Sequence, residues 1–209
     1  MSEEERAPRD EIFAHLSKLL GNEAISISKE VYDLCLAKKH QLALEKLKDY
    51  DKTLGGIGIY KSEGKKLPGI YRAFAYVELP FISENAEEDS RDIVEAACGY
   101  LEGLIKRVSR LSLIEKIRDS YKEGLPLGSL LYKVKEMLPL EIFNDMIWLN
   151  KKVYVFAKHK YDFGDDEENQ PEHYFELDEA VAVYLIARVL GRAIEKLGKK
   201  TQDELLQYD

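Results

Sequence analysis

The sequence predicts an all-α, mainly α-helical fold, a helical bundle interrupted once, near residues 57–79, where a short β-hairpin is one of two interpretations. Two observations support this prediction. Apolar residues recur at intervals of three and four through most of the chain, which places them on one face of successive helices. Capping residues, glycines and prolines bound the segments that show this pattern.

The size and composition of the chain favour one domain. Its 209 residues are 45% hydrophobic and 33% charged, so the chain is able to bury a substantial core and is not a disordered protein. We expect a single helical domain over residues 1–209, with an N-terminal helical subregion over 8–54.

The first three helices are predicted over residues 10–20, 23–37 and 40–53. Gly21 is expected to end the first, and Asn22 to cap the second. The residues expected to face the core are Ile12, Phe13, Leu16, Leu19 and Leu20 in the first helix, Ile27, Val31, Leu34 and Cys35 in the second, and Leu42, Leu44, Leu47 and Tyr50 in the third.

Residues 55–82 depart from the helical pattern. The segment GGIGIYKSEGKKLPG is rich in turn formers, and β-branched and aromatic residues follow it. A hairpin turning near residues 62–64 and a loop followed by a short helix both fit this composition. The stretch GGIG lacks the Gly-Lys-Ser/Thr ending of a phosphate-binding loop, so we interpret it as a connector.

A long amphipathic helix is predicted over residues 90–111, after the acidic linker ENAEEDS. On the face opposite its apolar stripe, Glu102 and Lys106 have the i,i+4 spacing of an ion pair. Shorter helices are predicted over residues 113–122, 127–137 and 140–150.

The last predicted helix spans residues 179–197. Asp178 is its expected N-cap and Gly198 its expected stop. Because the run from Ala180 to Ala187 is apolar nearly all round, this helix is predicted to be the most buried of the bundle.

Charge and composition exclude several classes of protein. A net charge of -8 disfavours bulk electrostatic binding of DNA or RNA, so any nucleic-acid contact has to be local. Two cysteines, Cys35 and Cys98, are too few for a disulfide framework, and we expect both to stay reduced. The first residues lack the features of a secretory signal, and no apolar run reaches the ~18 residues of a membrane span. We therefore expect a cytoplasmic protein without a membrane partner.

The segment from Asn150 to His173 is the most informative stretch for function. Lys158 and His159 are adjacent there; an imidazole can act as acid or base near pH 7, and a lysine beside it can stabilise phosphate charge. His159 is therefore the candidate catalytic residue, and Asn150, Lys152 and Lys158 are candidate ligands of RNA or a nucleotide. A surface histidine at the end of a helix is the alternative interpretation.

Two arginines of the last helix are further binding candidates. Arg188 and Arg192 lie one turn apart and form a basic ridge. They would complete an anion-binding patch with Lys158 if the last helix faces it. Pairing with acidic neighbours is the alternative.

A metal site is the weaker interpretation of the same segment. Imidazoles and carboxylates occur close together there, but their spacing matches no established ligand motif, and a solvated acidic loop explains them more simply. We expect neither a metal nor a cofactor. The residues concerned are His159, Asp162, Asp165, Asp166 and His173.

Three features resemble the HEPN superfamily over residues 88–197: a helix reading EAACGYLEGLIKR, a later PLGSLL, and an asparagine followed by Lys-His before the final hydrophobic helix. The resemblance implies a bundle of roughly four or five helices, often dimeric. It implies a metal-independent ribonuclease of a defence or toxin system, or a non-catalytic module associated with nucleotides or RNA.

The catalytic signature of that superfamily is an arginine followed about four to six residues later by a histidine. Lys152 is the only basic residue suitably spaced before His159, and no arginine stands there. Because lysine lacks the planar fork with which arginine grips phosphate, the resemblance favours binding over catalysis.

Two hypotheses of function follow. One is a degenerate HEPN-like domain that binds or cleaves RNA, or binds a nucleotide, at Lys152, Lys158 and His159. The other is a non-catalytic helical module for protein interaction, acting as a homodimer or as a subunit of an assembly. The acidic composition favours a protein partner, whereas a local basic pocket favours RNA.

Overall fold

The computed structural model of this chain describes residues 6–53, 86–110, 125–158 and 175–206. Within these ranges the chain folds into helices and no strand, which confirms the predicted all-α class. The segment near 57–79, for which a hairpin and a loop with a short helix were the two interpretations, and the helix predicted over 113–122 lie outside the described residues. No helix within the described ranges is both long and apolar enough to cross a membrane.

The helices differ from the predicted ones mainly at their ends. They are α1 (Arg9–Leu20), α2 (Asn22–Leu36), α3 (His40–Thr53), α4 (Ala86–Arg110), α5 (Leu127–Lys133), α6 (Leu140–Leu149), α7 (Val155–Lys158) and α8 (Leu177–Leu206). A 3-10 helix, Lys135–Met137, lies between α5 and α6, and a π-helix, Asn150–Tyr154, joins α6 to α7.

Helix α8 is the centre of the bundle. It packs most extensively on α4 and also contacts α1, α2 and α6. Every residue from Ala180 to Ala187 is at most 1% exposed. The apolar run needs neighbours on all sides, and the surrounding helices supply them, so the predicted burial of this helix is confirmed.

The bounds predicted for α8 are wrong at both ends. The helix begins at Leu177, which places Asp178 inside its first turn, where its carboxylate accepts the backbone N–H of Glu179 at 2.8 Å. The helix also continues through Gly198. A glycine costs a helix only about 1 kcal/mol, so it ends a helix only where the chain turns away.

The junction of α1 and α2 corrects a second predicted cap. Gly21 has a φ of 77°, a conformation that favours glycine, and it takes the N-cap position of α2. Asn22 is the first residue of the helix, and its Oδ1 accepts the Ser17 hydroxyl at 2.9 Å. In α3, Leu42 is 51% exposed and not part of the core, because the buried stripe runs through Ala43 and Leu47.

The residues before α1 attach this helix to the rest of the bundle. Ala7 is buried, and its N–H donates to the carbonyl of Lys152 in the π-helix at 2.8 Å. Arg6 pairs with Glu179 at 3.0 Å and lies over the ring of Phe175. The N-terminal segment therefore contacts the π-helix and the start of α8 together.

A cluster of polar and aromatic side chains joins α1 to α6. The ring of His15 stacks on Trp148 with centroids 3.9 Å apart, and its Nε2 lies 3.3 Å from Asp145 Oδ1. Lys18 Nζ approaches the same oxygen at 2.7 Å, and the Trp148 N–H donates to Glu11. This cluster holds α6 in place directly before the π-helix.

The stability of the fold is expected to fall as the pH drops below about 6.5, the ordinary pKa of histidine. Burial lowers the pKa of His15, Lys18 adds to that effect, and Asp145 and Glu11 only partly oppose it. The unfolded chain then binds the proton more readily than the folded one, so stability present above that pH is lost as the pH falls through the folded-state pKa. Urea titrations between pH 7 and pH 5 would measure this loss.

The variant His15→Gln is expected to show a smaller decrease in the free energy of unfolding over this range. His40→Gln, which removes an imidazole from the start of α3, is the matched control. Equal pH dependence in the wild type and in His15→Gln would show that His15 is not the responsible group.

Candidate functional site

Helix α6 continues without a break through the π-helix into α7. A π-helix accommodates an extra residue by widening the turn, and such widened turns are frequent at functional sites. Here the widened turn presents the carbonyl of Lys152 to the N–H of Ala7. The continuation through the β-branched and aromatic stretch VYVF keeps Asn150, Tyr154 and Lys158, spaced by four residues, on the same side of the helix.

This side of the helix lines a cleft of about 420 Å³, which it shares with α5 and with Pro126, the residue before it. We call it the α5–α7 cleft. Its walls are mainly apolar, with a few polar side chains, as in many small-molecule sites. The lining residues are Pro126, Leu127, Gly128, Ser129 and Tyr132 on one side and Asn150, Tyr154, Val155 and Lys158 on the other.

The absence of a side chain at Gly128 lets Asn150 approach α5. A Cβ atom added to Gly128 would lie 3.0 Å from Asn150 Nδ2, which is tighter than an ordinary contact. Among the residues that the structure describes, no hydrogen-bond partner of the Asn150 side-chain amide is present. The amide is therefore available to a ligand, with one acceptor and two donors.

Lys158 lies between the cleft and a carboxylate of α4. Its Nζ is 3.8 Å from Glu102 Oε2 and 5.3 Å from the centre of the Tyr154 ring. The Tyr154 hydroxyl donates to the same carboxylate oxygen at 2.9 Å, and Lys106 binds the other oxygen. One carboxylate thus faces two ammonium groups, which leaves this cluster with a formal charge of about +1.

The charge state of Glu102 follows from these contacts. Burial opposes ionisation, but hydrogen bonds from Lys106 and Tyr154 and the charge of Lys158 outweigh it and lower the pKa of Glu102. The predicted pair of Glu102 and Lys106 is present. The Glu102 side chain is only 12% exposed, however, because it faces Tyr154 and Lys158 and not open solvent.

A buried arginine of α4 contacts the backbone of α7. The Nε and Nη2 atoms of Arg91 both donate to the carbonyl of Ala157, the residue before Lys158, at 2.8 Å. Arg91 therefore positions the segment that carries Lys158.

Lys152 does not line the cleft. It follows Asn150 by two residues, which turns it to the other side of the helix, where its carbonyl accepts Ala7. Of the five binding candidates, the cleft brings together Asn150 and Lys158.

Arg188 belongs to a different part of the molecule. It is buried, and its Nε lies 2.6 Å from Asp51 Oδ1 while its Nη1 contacts the Tyr100 hydroxyl at 3.4 Å. Tyr100 and Glu102 lie about 200° apart around α4, so they face opposite sides of that helix. Arg188 is therefore separated by α4 from Lys158, and it pairs with an acidic neighbour instead of joining an anion-binding patch. Arg192, one turn further along α8, does not line the cleft either.

The candidate catalytic residue His159 lies outside the described residues, as do the acidic loop and the potential metal ligands that follow it. Their proposed roles stay predictions. Within the four described ranges, no group of three side chains suited to a metal ion is present.

Sequence reasoning missed several residues of the site. Tyr154 could have been found, because it lies midway between Asn150 and Lys158 on one helical face. Tyr132, Gly128 and Glu102 come from other helices, and no local signal connects them to Asn150 or Lys158.

Comparison of the chain with models of known protein families, with curated proteins and with solved structures finds no match. The resemblance to the HEPN superfamily therefore stays a prediction.

Proposed function

We propose that this protein is a degenerate HEPN-like domain that binds a nucleotide or RNA in the α5–α7 cleft. The observation that supports the proposal most is that Asn150 and Lys158, both predicted from the sequence, line one cavity of about 420 Å³. Lysine supplies a positive charge for phosphate, and an asparagine amide can pair with the edge of a base. The volume falls within the range of about 300–1,000 Å³ that is usual for small-molecule sites.

An aromatic ring at the cleft supports the same proposal. Tyr132 is 58% exposed, and the ring of Phe143 meets it edge-on at 5.7 Å. Exposed aromatic rings at such sites serve as platforms on which bases stack. The cleft thus combines a phosphate contact, a hydrogen-bonding amide and a stacking surface.

Binding is favoured over catalysis. The superfamily signature would require an arginine where Lys152 stands, and Lys152 points away from the cleft. If the protein is an enzyme, we propose a metal-independent ribonuclease in which His159 acts as the acid or base, in a defence or toxin system as the resemblance implies.

We also propose a cytoplasmic location. Cys35 and Cys98 are free thiols, as is usual for proteins of reducing compartments. Burial raises the pKa of Cys35 to about 12, and burial, aided by Glu95, also raises the pKa of Cys98. Thiols protonated in this way react slowly.

Lys158→Ala is expected to weaken binding of a labelled single-stranded RNA, or of a nucleotide, by roughly tenfold or more, and Asn150→Ala by roughly fivefold. A hydrogen bond to a charged group contributes about 1.5–3 kcal/mol, and a neutral one about 1 kcal/mol. Fluorescence anisotropy at low salt would measure this, and the affinity should fall as salt is raised. Lys151→Ala is the matched control, because Lys151 is exposed and lies on the same segment but does not line the cleft.

Equal affinity in Lys158→Ala and Lys151→Ala, or no binding even at low salt, would favour the alternative proposal. This alternative is a non-catalytic helical module for protein interaction, acting as a homodimer or an assembly subunit. The observation it rests on is that, in the described ranges, four large apolar side chains are more than half exposed; exposed apolar surface marks docking sites where it is contiguous. They are Leu36, Leu42, Tyr132 and Leu140.

A further inference from the structure

We infer that the α5–α7 cleft selects a ligand with a single phosphate group, a nucleoside monophosphate, over nucleoside polyphosphates and over a run of RNA. This inference rests on the proposed function and names the class of ligand for the same site. Three properties of the described residues carry it: the number of cations at the cleft, the carboxylate beside its lysine, and its size.

Among the described residues that line the cleft, Lys158 is the one cation. The polar side chains that accompany it, Asn150, Ser129, Tyr132 and Tyr154, are hydrogen-bonding groups. Sites that bind polyphosphates surround them with several cations or with a metal. A single lysine matches a single phosphate group.

Glu102 disfavours additional phosphates. Its carboxylate lies 3.8 Å from Lys158 Nζ and stays ionised, because Lys106 and Tyr154 also bind it. The net charge of about +1 on Lys158, Lys106 and Glu102 offsets roughly half of the charge of one phosphate group, which is about -1.5 to -2 at neutral pH. Each further phosphate adds negative charge close to that carboxylate and meets no further cation among the described lining residues, in a protein whose overall charge is -8.

The size of the cleft points to one nucleotide unit. Its volume of about 420 Å³ lies near the lower end of the usual range for small-molecule sites. Grooves that bind a run of single-stranded RNA follow the backbone with successive basic and aromatic residues. In the described part of the cleft, Tyr132 is the single strongly exposed ring and Lys158 the single cation.

The test compares adenosine with its 5′-mono-, di- and triphosphates by isothermal titration calorimetry, at low salt and without divalent cations. We expect the affinity for the monophosphate to be at least about tenfold higher than that for the triphosphate, because the additional phosphates are repelled by Glu102. The monophosphate should also bind more tightly than adenosine, which has no phosphate for Lys158. A short RNA with a terminal phosphate, beside the same RNA without it, distinguishes a free mononucleotide from the end of a strand.

The variant Glu102→Gln tests the role of the carboxylate. It is expected to increase the affinity for the triphosphate more than for the monophosphate, so that the preference for the monophosphate shrinks about threefold or more. Glu141→Gln removes the same charge from an exposed position of α6 that does not line the cleft, and it should leave this preference unchanged. Thermal melting of both variants confirms that they fold.

The outcomes separate this inference from the proposed function. If the triphosphate binds as tightly as the monophosphate, or if Glu102→Gln leaves their ratio unchanged, the inference is wrong, while a loss of binding in Lys158→Ala still supports the proposed function. If the RNA with a terminal phosphate binds more tightly than the monophosphate, the ligand is the end of a strand and not a free nucleotide. If neither a nucleotide nor RNA binds, both proposals fail.

Discussion

Replacing Ile186 with aspartate is expected to destabilise the protein by roughly 5 kcal/mol or more. Ile186 is fully buried in α8, at the centre of the bundle. The substitution removes about 1.5–3 kcal/mol of apolar burial and places a carboxylate at a fully buried position, where water does not solvate its charge. Because single domains are stable by only about 5–15 kcal/mol, this change should unfold a large fraction of the molecules.

Urea denaturation followed by circular dichroism would measure the loss. Ile186→Val is the matched control, since removing one methylene group at the same position should cost only about 0.5–1.5 kcal/mol. If the aspartate variant is insoluble, Ile186→Ala is expected to cost about 2–5 kcal/mol and tests the same burial. A melting temperature close to that of the wild type in the aspartate or alanine variant would contradict the central position of α8.

Asp51→Ala is expected to destabilise the protein by roughly 3–5 kcal/mol, because it leaves the guanidinium of Arg188 buried without a counter-charge. Both side chains are almost fully buried, and the carboxylate accepts Arg188 Nε at 2.6 Å and Nη2 at 3.4 Å. The pair joins α3 to α8. Tyr100 of α4 covers the guanidinium, and Gly191 lets that ring lie against α8.

Asp49→Ala provides the control for this prediction. Asp49 lies two residues earlier in α3, its side chain is 70% exposed, and it pairs with Lys52 on the surface, so its loss should cost less than about 1 kcal/mol. The double variant Asp51→Leu, Arg188→Met is expected to recover much of the stability, since a buried apolar pair carries no cost of desolvating charge. Similar denaturation midpoints for Asp51→Ala and Asp49→Ala would show that the buried pair is not important for stability.

Local patterns were sufficient to predict most of the helices. The bounds of α1, α2 and α3 lie within one residue of the predicted ones, and the run from Ala180 to Ala187 is buried as expected. These properties follow from the spacing of apolar residues along a few turns, which is a local property of the sequence. Helix ends were less predictable. Gly198 and Asn22 are typical capping residues, but α8 continues through Gly198, and Asn22 is the first residue of α2 and not its N-cap.

The candidate site was predictable only in part. The sequence by itself determined that Asn150 lies about two turns before Lys158 if the helix continues between them, because that follows from helical spacing alone. The helix does continue, through a π-helix in which the carbonyl of Lys152 accepts the N–H of Ala7, a residue far away in sequence. Only the tertiary structure shows this contact.

Packing around α4 decided which charged side chains meet. The sequence determined that Arg188 is basic and that Glu102 pairs with Lys106, but it carried no information on which helix each would meet. Because side chains two residues apart on α4 face opposite ways, Tyr100 meets Arg188 while Glu102 meets Lys158. Spacing along one helix is a local property of the chain, whereas the partner of each face depends on how all the helices bury their apolar surface together.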